Sequence, residues 1–212
     1  MTVATKITAG ISQRETDLQR DLQRDLWCVM GLPFDATTES ATYSHLLACI
    51  ENKQKCFLTT PNLNFVVAAQ SDAAFRKTVI DSDWVIADGM PIIWAAKALG
   101  IPPHERVAGS SVFDRLRNEY RQHDRPLRVV FFGGPDGVAA EAFKKIAVDD
   151  SAMEVVGFYS PGFGTIEEMS PQHVIDQINE SDADIVLVAL GAKRGQQWID
   201  FNQSRLNAPV IS

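Results

Sequence analysis

Short apolar runs alternate with amphipathic stretches along the chain from Trp27 onward. Continuous apolar runs such as Val129–Phe132 and Ile185–Val188 are typical of parallel strands that are buried on both faces. The pattern predicts strands at Trp27–Leu32, Cys56–Thr60, Trp84–Ala87, Leu127–Phe132, Met153–Tyr159, Asp184–Leu190 and Pro209–Ser212. The predicted helices are Thr38–Lys53, Asn64–Ile80, Pro91–Leu99, Ser110–His123, Gly137–Val148, Ile166–Glu180 and Gln196–Leu206. This alternation predicts a Rossmann-like α/β domain, with a mostly parallel sheet and helices on both faces.

Residues 1–26 depart from this pattern and form a polar leader. Leu18, Leu22 and Leu26 recur at every fourth position between balanced charges, which would give a thin apolar stripe on a helix. Two interpretations of the leader stay open: a flexible segment, or a short helix that docks or forms a homo-oligomer. The folded domain is therefore predicted to cover residues 27–212.

Composition and charge exclude several classes of protein. The 212 residues are 45% hydrophobic and 22% charged, as in an ordinary globular protein. Twenty Lys and Arg stand against 27 Asp and Glu, so a nucleic-acid-coating protein is disfavoured. Cys28, Cys49 and Cys56 have no Cys-x-x-Cys spacing and are expected to be buried, reduced thiols rather than a disulfide framework or zinc site. The most apolar window, 84–101, contains charges and helix breakers, so no membrane-spanning helix is predicted.

Polar or glycine-rich sequence follows four of the predicted strands. These segments are Thr60–Asn64, Asp88–Pro91, Gly133–Gly137 and Gly191–Gln196. Ligands of open parallel sheets bind beyond the carboxyl ends of the strands, so we expect these segments to form one cleft for a nucleotide-like molecule. The turn 133–137 would offer backbone N–H groups to a phosphate, or would need glycine for its own geometry.

Two charged residues stand out near this rim. Asp88 directly follows an apolar strand, where a carboxylate suits general-base catalysis; the alternative is a cap for the helix that begins near Pro91. The planar guanidinium of Arg106 suits a diphosphate. The alternative for Arg106 is an ion pair with Glu105 or Asp114.

An ordered set of motifs resembles the WecG/TagA/CpsF glycosyltransferase family over residues 28–212. The motifs are Met30–Asp35, Thr60–Asn62, Asp83–Ala95, Arg106–Gly109, Phe132–Gly134, Gly191–Ala192 and Gln196-x-Trp198-Ile199. The order of these motifs, more than any one of them, makes the resemblance specific.

The resemblance implies an inverting, metal-independent glycosyltransferase of bacterial exopolysaccharide, capsule or cell-wall polymer synthesis. Such an enzyme moves N-acetylmannosamine, its uronic acid or a related hexose from a UDP-sugar to a polyprenyl-diphosphate-linked acceptor, without a cofactor. The resemblance implies that Asp88 is the catalytic base and that Arg106 supports phosphate binding or catalysis. The implied substrate-binding residues are Thr60, Asn62, Gly89, Gly133, Gly134 and Gln196.

The expectation of a metal-independent enzyme also rests on where two candidate metal-binding motifs lie in the sequence. Two Asp-x-Asp strings, at 81–83 and 182–184, match a motif by which other glycosyltransferases hold a metal. Both strings precede a predicted strand and so lie at the rim opposite the cleft. No metal site is therefore predicted.

Alternatives to this function stay open. One is a non-catalytic UDP-sugar-binding or scaffold protein; another is a Rossmann-type NAD- or SAM-dependent enzyme, although Gly31-Leu32-Pro33 is no dinucleotide fingerprint. The sequence ends within the predicted strand Pro209–Ser212, whereas family members continue with a C-terminal appendage that reaches the membrane. We therefore expect a missing membrane-contacting segment, and a cytoplasmic protein peripheral to the inner face of the cell membrane.

Overall fold

The computed structural model describes residues 24–101, 105–134 and 152–212, together with the backbone of Lys6–Ile7. The strands within these residues are β1 (Lys6–Ile7), β2 (Leu26–Val29), β3 (Leu32–Asp35), β4 (Phe57–Thr59), β5 (Trp84–Val85), β6 (Leu127–Gly133), β7 (Met153–Tyr159), β8 (Ile185–Ala189) and β9 (Val210–Ile211). The helices are α1 (Glu39–Glu51), α2 (Leu63–Ser71), α3 (Ala73–Ile80), α4 (Met90–Ala98), α5 (Gly109–Tyr120), α6 (Gln172–Glu180) and α7 (Ala192–Asn202). Helices thus separate successive strands over most of the chain.

Six strands form one parallel sheet in the order β5-β4-β9-β8-β6-β7. Strand β9 lies inside this sheet, where Val210 is opposite Phe57 of β4 on one side and Val186 of β8 on the other. The chain passes from β5 at one edge to β6 near the other, so the direction of strand addition changes along the sheet. Such a change creates a crevice at the carboxyl ends of the strands. The predicted α/β fold is confirmed.

Side chains alternate between the two faces of the sheet, as they must along a strand. Val129 and Phe131 join a core with α1 and α5, whereas Val130 and Phe132 join another with α6 and α7. Trp198 of α7 is fully buried, and its ring stacks on Phe132 with centroids 3.9 Å apart. A third core packs α2, α3 and α4 against β2, β3 and β5. Helices therefore cover both faces, as predicted.

The expectation of a first parallel strand at Trp27–Leu32 is wrong. Met30 and Gly31 have φ angles of +52° and +86°, which form a tight turn between β2 and β3. Positive φ at both central residues fits the turn type that suits a two-residue hairpin. The two strands pair antiparallel, and β1 adds on the other side of β2, in a separate three-stranded sheet.

This hairpin is fastened to the main sheet by Asp35. The buried Asp35 carboxylate accepts a hydrogen bond of 2.7 Å from the backbone N–H of Val85 in β5. Arg24 binds the same carboxylate with two nitrogens, at 2.8 Å each. Leu26 lies in β2, so the helical stripe expected in the leader does not extend to it; Leu18 and Leu22 lie outside the described residues.

The predicted helix Asn64–Ile80 is divided at Asp72 into α2 and α3. Asp72 adopts extended backbone angles, and its carboxylate accepts a 2.9 Å hydrogen bond from the N–H of Phe75. An aspartate that caps the second helix in this way ends the first one, because a cap residue is not itself helical.

Three other predicted helices need comment. The helix predicted at Ile166–Glu180 begins only after Pro171, as α6. The helix predicted at Gln196–Leu206 begins earlier, as α7, directly after Gly191 with its φ of +77°. The helix predicted at Gly137–Val148 lies outside the described residues. Within the described part of the chain, none of the helices has the length and apolar character that a membrane crossing requires.

Candidate active site

The carboxyl ends of β4 and β5 are held side by side by backbone hydrogen bonds. The N–H of Asp88 donates to the carbonyl of Pro61 over 3.1 Å. The N–H of Val107 donates to the carbonyl of Ala87, also over 3.1 Å. The segment after β4, the segment after β5 and the segment before α5 therefore meet at one edge of the sheet. Of the four segments expected to form one cleft, those after β4 and β5 are therefore neighbours, and the Arg106 segment lies beside them.

Asp88 and Arg106 form an ion pair at this edge. Nη1 of Arg106 lies 3.2 Å from Oδ1 of Asp88, and the two side chains are 46% and 31% exposed. Arg106 is the one side chain among the described residues that bonds to the Asp88 carboxylate. A partly exposed carboxylate beside a guanidinium can receive a proton from a bound molecule while the cation contacts an anionic group.

The structure tests the capping alternative for Asp88 and the ion-pair alternatives for Arg106. Gly89, not Asp88, is the N-cap of α4, and no side chain caps that helix. The expectation that Asp88 caps the helix is therefore wrong. The alternative partners of Arg106 are also engaged elsewhere, because Asp114 pairs with Arg117 and the Glu105 carboxylate accepts from the N–H of Glu39.

Thr60 joins the end of β4 to the end of β9. Its hydroxyl donates a 2.7 Å hydrogen bond to the carbonyl of Ser212. Gly109, the first residue of α5, lies so close that a Cβ built on it would be 2.9 Å from Cγ2 of Thr60. Glycine at 109 therefore lets the first turn of α5 approach the rim. The motif Arg106–Gly109 contains this glycine, but only the contact with Thr60 in the folded chain explains why a glycine is needed there.

Asn62 is the N-cap of α2. Its Oδ1 accepts a 2.9 Å hydrogen bond from the N–H of Asn64, which leaves Nδ2 as the donor available to a ligand. Gly89 lies next to it, since a Cβ built on Gly89 would be 4.0 Å from Cβ of Asn62. Both predicted substrate-binding residues thus lie beside the Asp88 segment.

Gly133 and Gly134 end β6 at the same rim. Gly133 has φ +117°, and a Cβ built on it would lie 2.5 Å from the carbonyl oxygen of Ala189 in β8. The N–H of Gly134 donates to that same oxygen over 3.1 Å. Glycine is therefore required here by the turn itself. Residues 135–137, which were expected to help hold a phosphate, lie outside the described residues.

Gln196 lies beneath the rim rather than on it, because its side chain is fully buried in α7. Its Nε2 donates to the hydroxyl of Thr59 and, over 2.8 Å, to the hydroxyl of Ser212. Its Oε1 accepts a 3.3 Å hydrogen bond from Thr78 of α3. The amide thus ties β4, β9 and α3 together directly below Thr60, and substrate contact by Gln196 stays a prediction.

Both Asp-x-Asp strings lie at the opposite rim, as predicted. The Asp83 carboxylate accepts a 2.9 Å hydrogen bond from the N–H of Phe57, at the start of β4. Asp184, which precedes β8, binds Nη1 and Nη2 of Arg125 and accepts from the N–H of Arg128 over 2.9 Å. These carboxylates therefore organise the amino ends of strands.

Sequence reasoning missed Ser212 as a residue of this rim. The Ser212 hydroxyl lies 3.2 Å from that of Thr59, and its N–H donates to the carbonyl of Leu58. Its position at the carboxyl end of the predicted strand Pro209–Ser212 was the available signal. The prediction of a buried strand there is confirmed, because β9 lies inside the sheet between β4 and β8.

Comparisons with known proteins agree with this geometry. The sequence profile described as the glycosyl transferase WecG/TagA/CpsF family matches residues 27–212. The match begins in β2 and includes every segment of the rim described above.

Two similar proteins carry the name N-acetylglucosaminyldiphosphoundecaprenol N-acetyl-beta-D-mannosaminyltransferase. One, from Bacillus spizizenii, is 28% identical over 149 residues, which cover 70% of this chain and 55% of the relative. Another, from Staphylococcus aureus, is 21% identical over 186 residues, which cover 86% of this chain and 70% of the relative. The chain thus spans just over half the length of the Bacillus relative. With the family profile matched from residue 27 to residue 212, the chain belongs to the WecG/TagA/CpsF glycosyltransferase family.

Proposed function

We propose that this domain transfers N-acetylmannosamine from a UDP-sugar to N-acetylglucosamine that is linked to a polyprenyl diphosphate. The observation that carries the proposal is the half-exposed ion pair of Asp88 and Arg106 at the carboxyl ends of β4 and β5. The names of the Bacillus and Staphylococcus relatives supply the sugar and the lipid-linked acceptor. Their family supplies the reaction class.

Asp88 acts as the general base in this proposal. The acceptor hydroxyl attacks the anomeric carbon of the donor, and its proton passes to the Asp88 carboxylate. The bond between that carbon and the diphosphate oxygen breaks, and UDP leaves with the electron pair from the opposite face. The configuration at the anomeric carbon is therefore inverted. The exposed part of the Asp88 side chain, 31%, supports access by an acceptor hydroxyl.

Arg106 contacts the donor diphosphate in this proposal. A diphosphate carries more negative charge than one carboxylate, so a bound donor competes with Asp88 for the guanidinium. When Arg106 turns to the diphosphate, Oδ1 of Asp88 loses its partner and becomes available to accept the proton. The 3.2 Å ion pair is then the resting arrangement of the site, and donor binding prepares the base.

Arg106 also supports a reaction without a catalytic metal ion. Positive charge at the departing diphosphate stabilises the charge that develops there, a task that metal ions perform in other transferases. The two Asp-x-Asp strings, at 81–83 and 182–184, bind backbone and arginine at the opposite rim. Their place in the fold supports an active site that works with protein cations.

Apolar side chains next to the site support contact with a lipid-linked acceptor. Leu63 and Val67 of α2 are 44% and 63% exposed, and Met90 and Trp94 of α4 are 42% and 61% exposed. These helices begin directly after Asn62 and Gly89, at the rim that holds Asp88 and Arg106. We propose that this surface faces the membrane, so that the protein works as a peripheral protein.

One experiment separates an enzyme from a non-catalytic UDP-sugar-binding protein. UDP, UDP-N-acetylmannosamine and UDP-N-acetylglucosamine are compared by thermal stabilisation of the protein. Transfer to a polyprenyl-diphosphate-linked N-acetylglucosamine is then measured, with and without added magnesium or manganese. We expect binding of the donor, release of UDP and a product of inverted configuration, at a rate that added metal does not raise. Donor binding without transfer would instead indicate the non-catalytic alternative.

A further inference from the structure

A histidine and two cysteines form a buried cluster at the amino end of β4, away from the active-site rim. His45 and Cys49 lie on α1, and Cys56 directly precedes β4. Their exposed fractions are 6%, 2% and 2%. Their potential ligand atoms all lie within 4.8 Å of one another. The glycosyltransferase reaction has no use for this cluster.

The two distances from the ring nitrogen to the sulfurs are close to those imposed by a shared metal ion. Nε2 of His45 lies 3.8 Å from Sγ of Cys49 and 3.5 Å from Sγ of Cys56. Bonds of about 2.3 Å to sulfur and about 2.0 Å to nitrogen, at a tetrahedral angle, place those two atoms about 3.5 Å apart. A single ion between these three side chains would be in bonding range of the ring nitrogen and of both sulfurs.

The cluster is also organised as a ligand set. His45 and Cys49 are four residues apart on one helix and so lie on the same face of α1. The His45 ring stacks on the buried Trp84 ring, with centroids 4.2 Å apart and planes at 18°, which fixes its orientation. Cys49 and Cys56 are thiols rather than halves of a disulfide. Two sulfur donors and an imidazole select thiophilic ions such as Zn²⁺ and Cu⁺.

We propose that His45, Cys49 and Cys56 bind one thiophilic d¹⁰ ion, Zn²⁺ or Cu⁺. Binding converts two thiols to thiolates and releases two protons, so a divalent ion leaves the ligand set neutral. The ion links α1 to the start of β4, and β4 carries Thr59 and Thr60 to the active-site rim. Its role is structural and does not depend on the proposed transferase activity.

The test uses the 212-residue protein after chelator treatment under reducing conditions. Zn²⁺, or Cd²⁺ as a spectroscopic probe, is titrated while ultraviolet thiolate-to-metal absorption, released protons and thermal stability are followed. Cu⁺ is titrated against a coloured chelator in a separate, anaerobic experiment. We expect one ion per chain, about two protons released per divalent ion, a higher Tm and protection of two of the three cysteines from alkylation.

Variants identify the ligands. Cys49→Ser and Cys56→Ser retain side-chain size, and Cys28→Ser is the matched control because Cys28 lies in β2, outside the cluster. Loss of a group that only hydrogen-bonds to a metal ligand already lowers metal affinity by about 10–100-fold. Loss of a sulfur ligand itself is therefore expected to lower the affinity by more than about 100-fold. Cys28→Ser should bind like the unsubstituted protein.

The titration of the unsubstituted protein decides the question even where a variant fails to fold. The proposal is overturned if neither Zn²⁺, Cd²⁺ nor Cu⁺ produces thiolate absorption or protects the cysteines. It is also overturned if binding survives in both Cys49→Ser and Cys56→Ser, because the ion would then lie elsewhere. Tighter binding of Zn²⁺ and Cd²⁺ than of Cu⁺ identifies a zinc site, and tighter binding of Cu⁺ identifies a copper site; either result supports the proposal.

Discussion

Nη1 of Arg106 lies 3.2 Å from Oδ1 of Asp88, although the two residues are 18 positions apart in the sequence. The helix α4 lies between them in the sequence, and the hydrogen bond from the Val107 N–H to the Ala87 carbonyl holds the segment before α5 at the rim. The ion pair therefore arises from the path of the backbone. It places a carboxylate and a guanidinium where the family resemblance implies a catalytic site.

The Arg106→Gln variant should bind UDP more weakly than the unsubstituted protein but fold equally well. Both partners of the ion pair are partly exposed, and such pairs contribute only about 0–1 kcal/mol to stability. Loss of a charge-assisted bond to phosphate costs more, about 1.5–3 kcal/mol of binding free energy. Calorimetry with UDP and thermal unfolding measure the two effects. The control is Lys53→Gln, which removes an exposed cation at the opposite rim; equal UDP affinity in both variants contradicts the role of Arg106.

The Gln196→Leu variant should be less stable than the unsubstituted protein. Gln196 is fully buried, and its loss strips hydrogen bonds from the hydroxyls of Thr59, Ser212 and Thr78. The hydroxyls of Thr59 and Ser212 still bond to each other, and that of Thr78 still bonds to the Phe75 carbonyl, so each lost bond costs about 0.5–1.5 kcal/mol. Denaturant unfolding measures the loss, with Gln122→Leu at an exposed turn as control. A change no larger than the control would mean that the buried amide does not stabilise the fold.

The Gly133→Ala variant should be destabilised more than Gly100→Ala. Both glycines have positive φ, at +117° and +71°, where an alanine costs about 1–2 kcal/mol of backbone strain. A Cβ on Gly100 has nothing within 4 Å, whereas a Cβ on Gly133 would overlap the Ala189 carbonyl at 2.5 Å. The backbone cannot rotate away as a side chain can. Equal unfolding free energies for the two variants would show that the contact between β6 and β8 relaxes easily.

Alkaline pH should weaken the fold through Tyr120. Burial of its side chain, with the nearby Asp184 carboxylate, raises the pKa of Tyr120 to about 12. The unfolded tyrosine ionises near pH 10, so between about pH 10 and 12 the unfolded chain loses a proton that the folded chain keeps. The stability present below pH 10 is therefore lost as the pH rises through this window. Tyr120→Phe should flatten this loss in unfolding experiments; parallel pH profiles for both proteins would contradict the assignment.

The sequence pattern predicts the sheet well because burial leaves a local signature. The run Val129–Phe132 is apolar at every position, and in the structure its side chains alternate between two cores. The hairpin was missed because its turn requires a positive φ at Met30, and methionine is not a residue type that indicates positive φ. The break at Asp72 was missed for a related reason, since an aspartate within an amphipathic stretch reads equally well as a surface position.

The candidate site divides in the same way. The position of Asp88 at the rim could be predicted because it follows an apolar strand and the rim is a property of the fold class. The place of Gln196 could not be predicted, because its burial depends on contacts with Thr78 and Ser212, which lie far away in the sequence. The same holds for the cluster of His45, Cys49 and Cys56, because Cys56 is 11 positions from His45 and only the fold brings it to the pair on α1.

The central claim is that Asp88 is the general base of a sugar transfer. The direct measurement is the rate of transfer by Asp88→Asn, with donor binding and thermal stability measured on the same protein and with Asp114→Asn as a surface control. Asparagine keeps the size of the side chain, and Asp88 caps no helix, so folding should change little. Donor binding should be equal or tighter, because asparagine competes less than aspartate for Arg106. Because an amide cannot take the proton, transfer should fall by about 10²–10⁴-fold, the usual contribution of general-base catalysis. An Asp88→Asn protein that transfers sugar at nearly the unsubstituted rate would contradict the account.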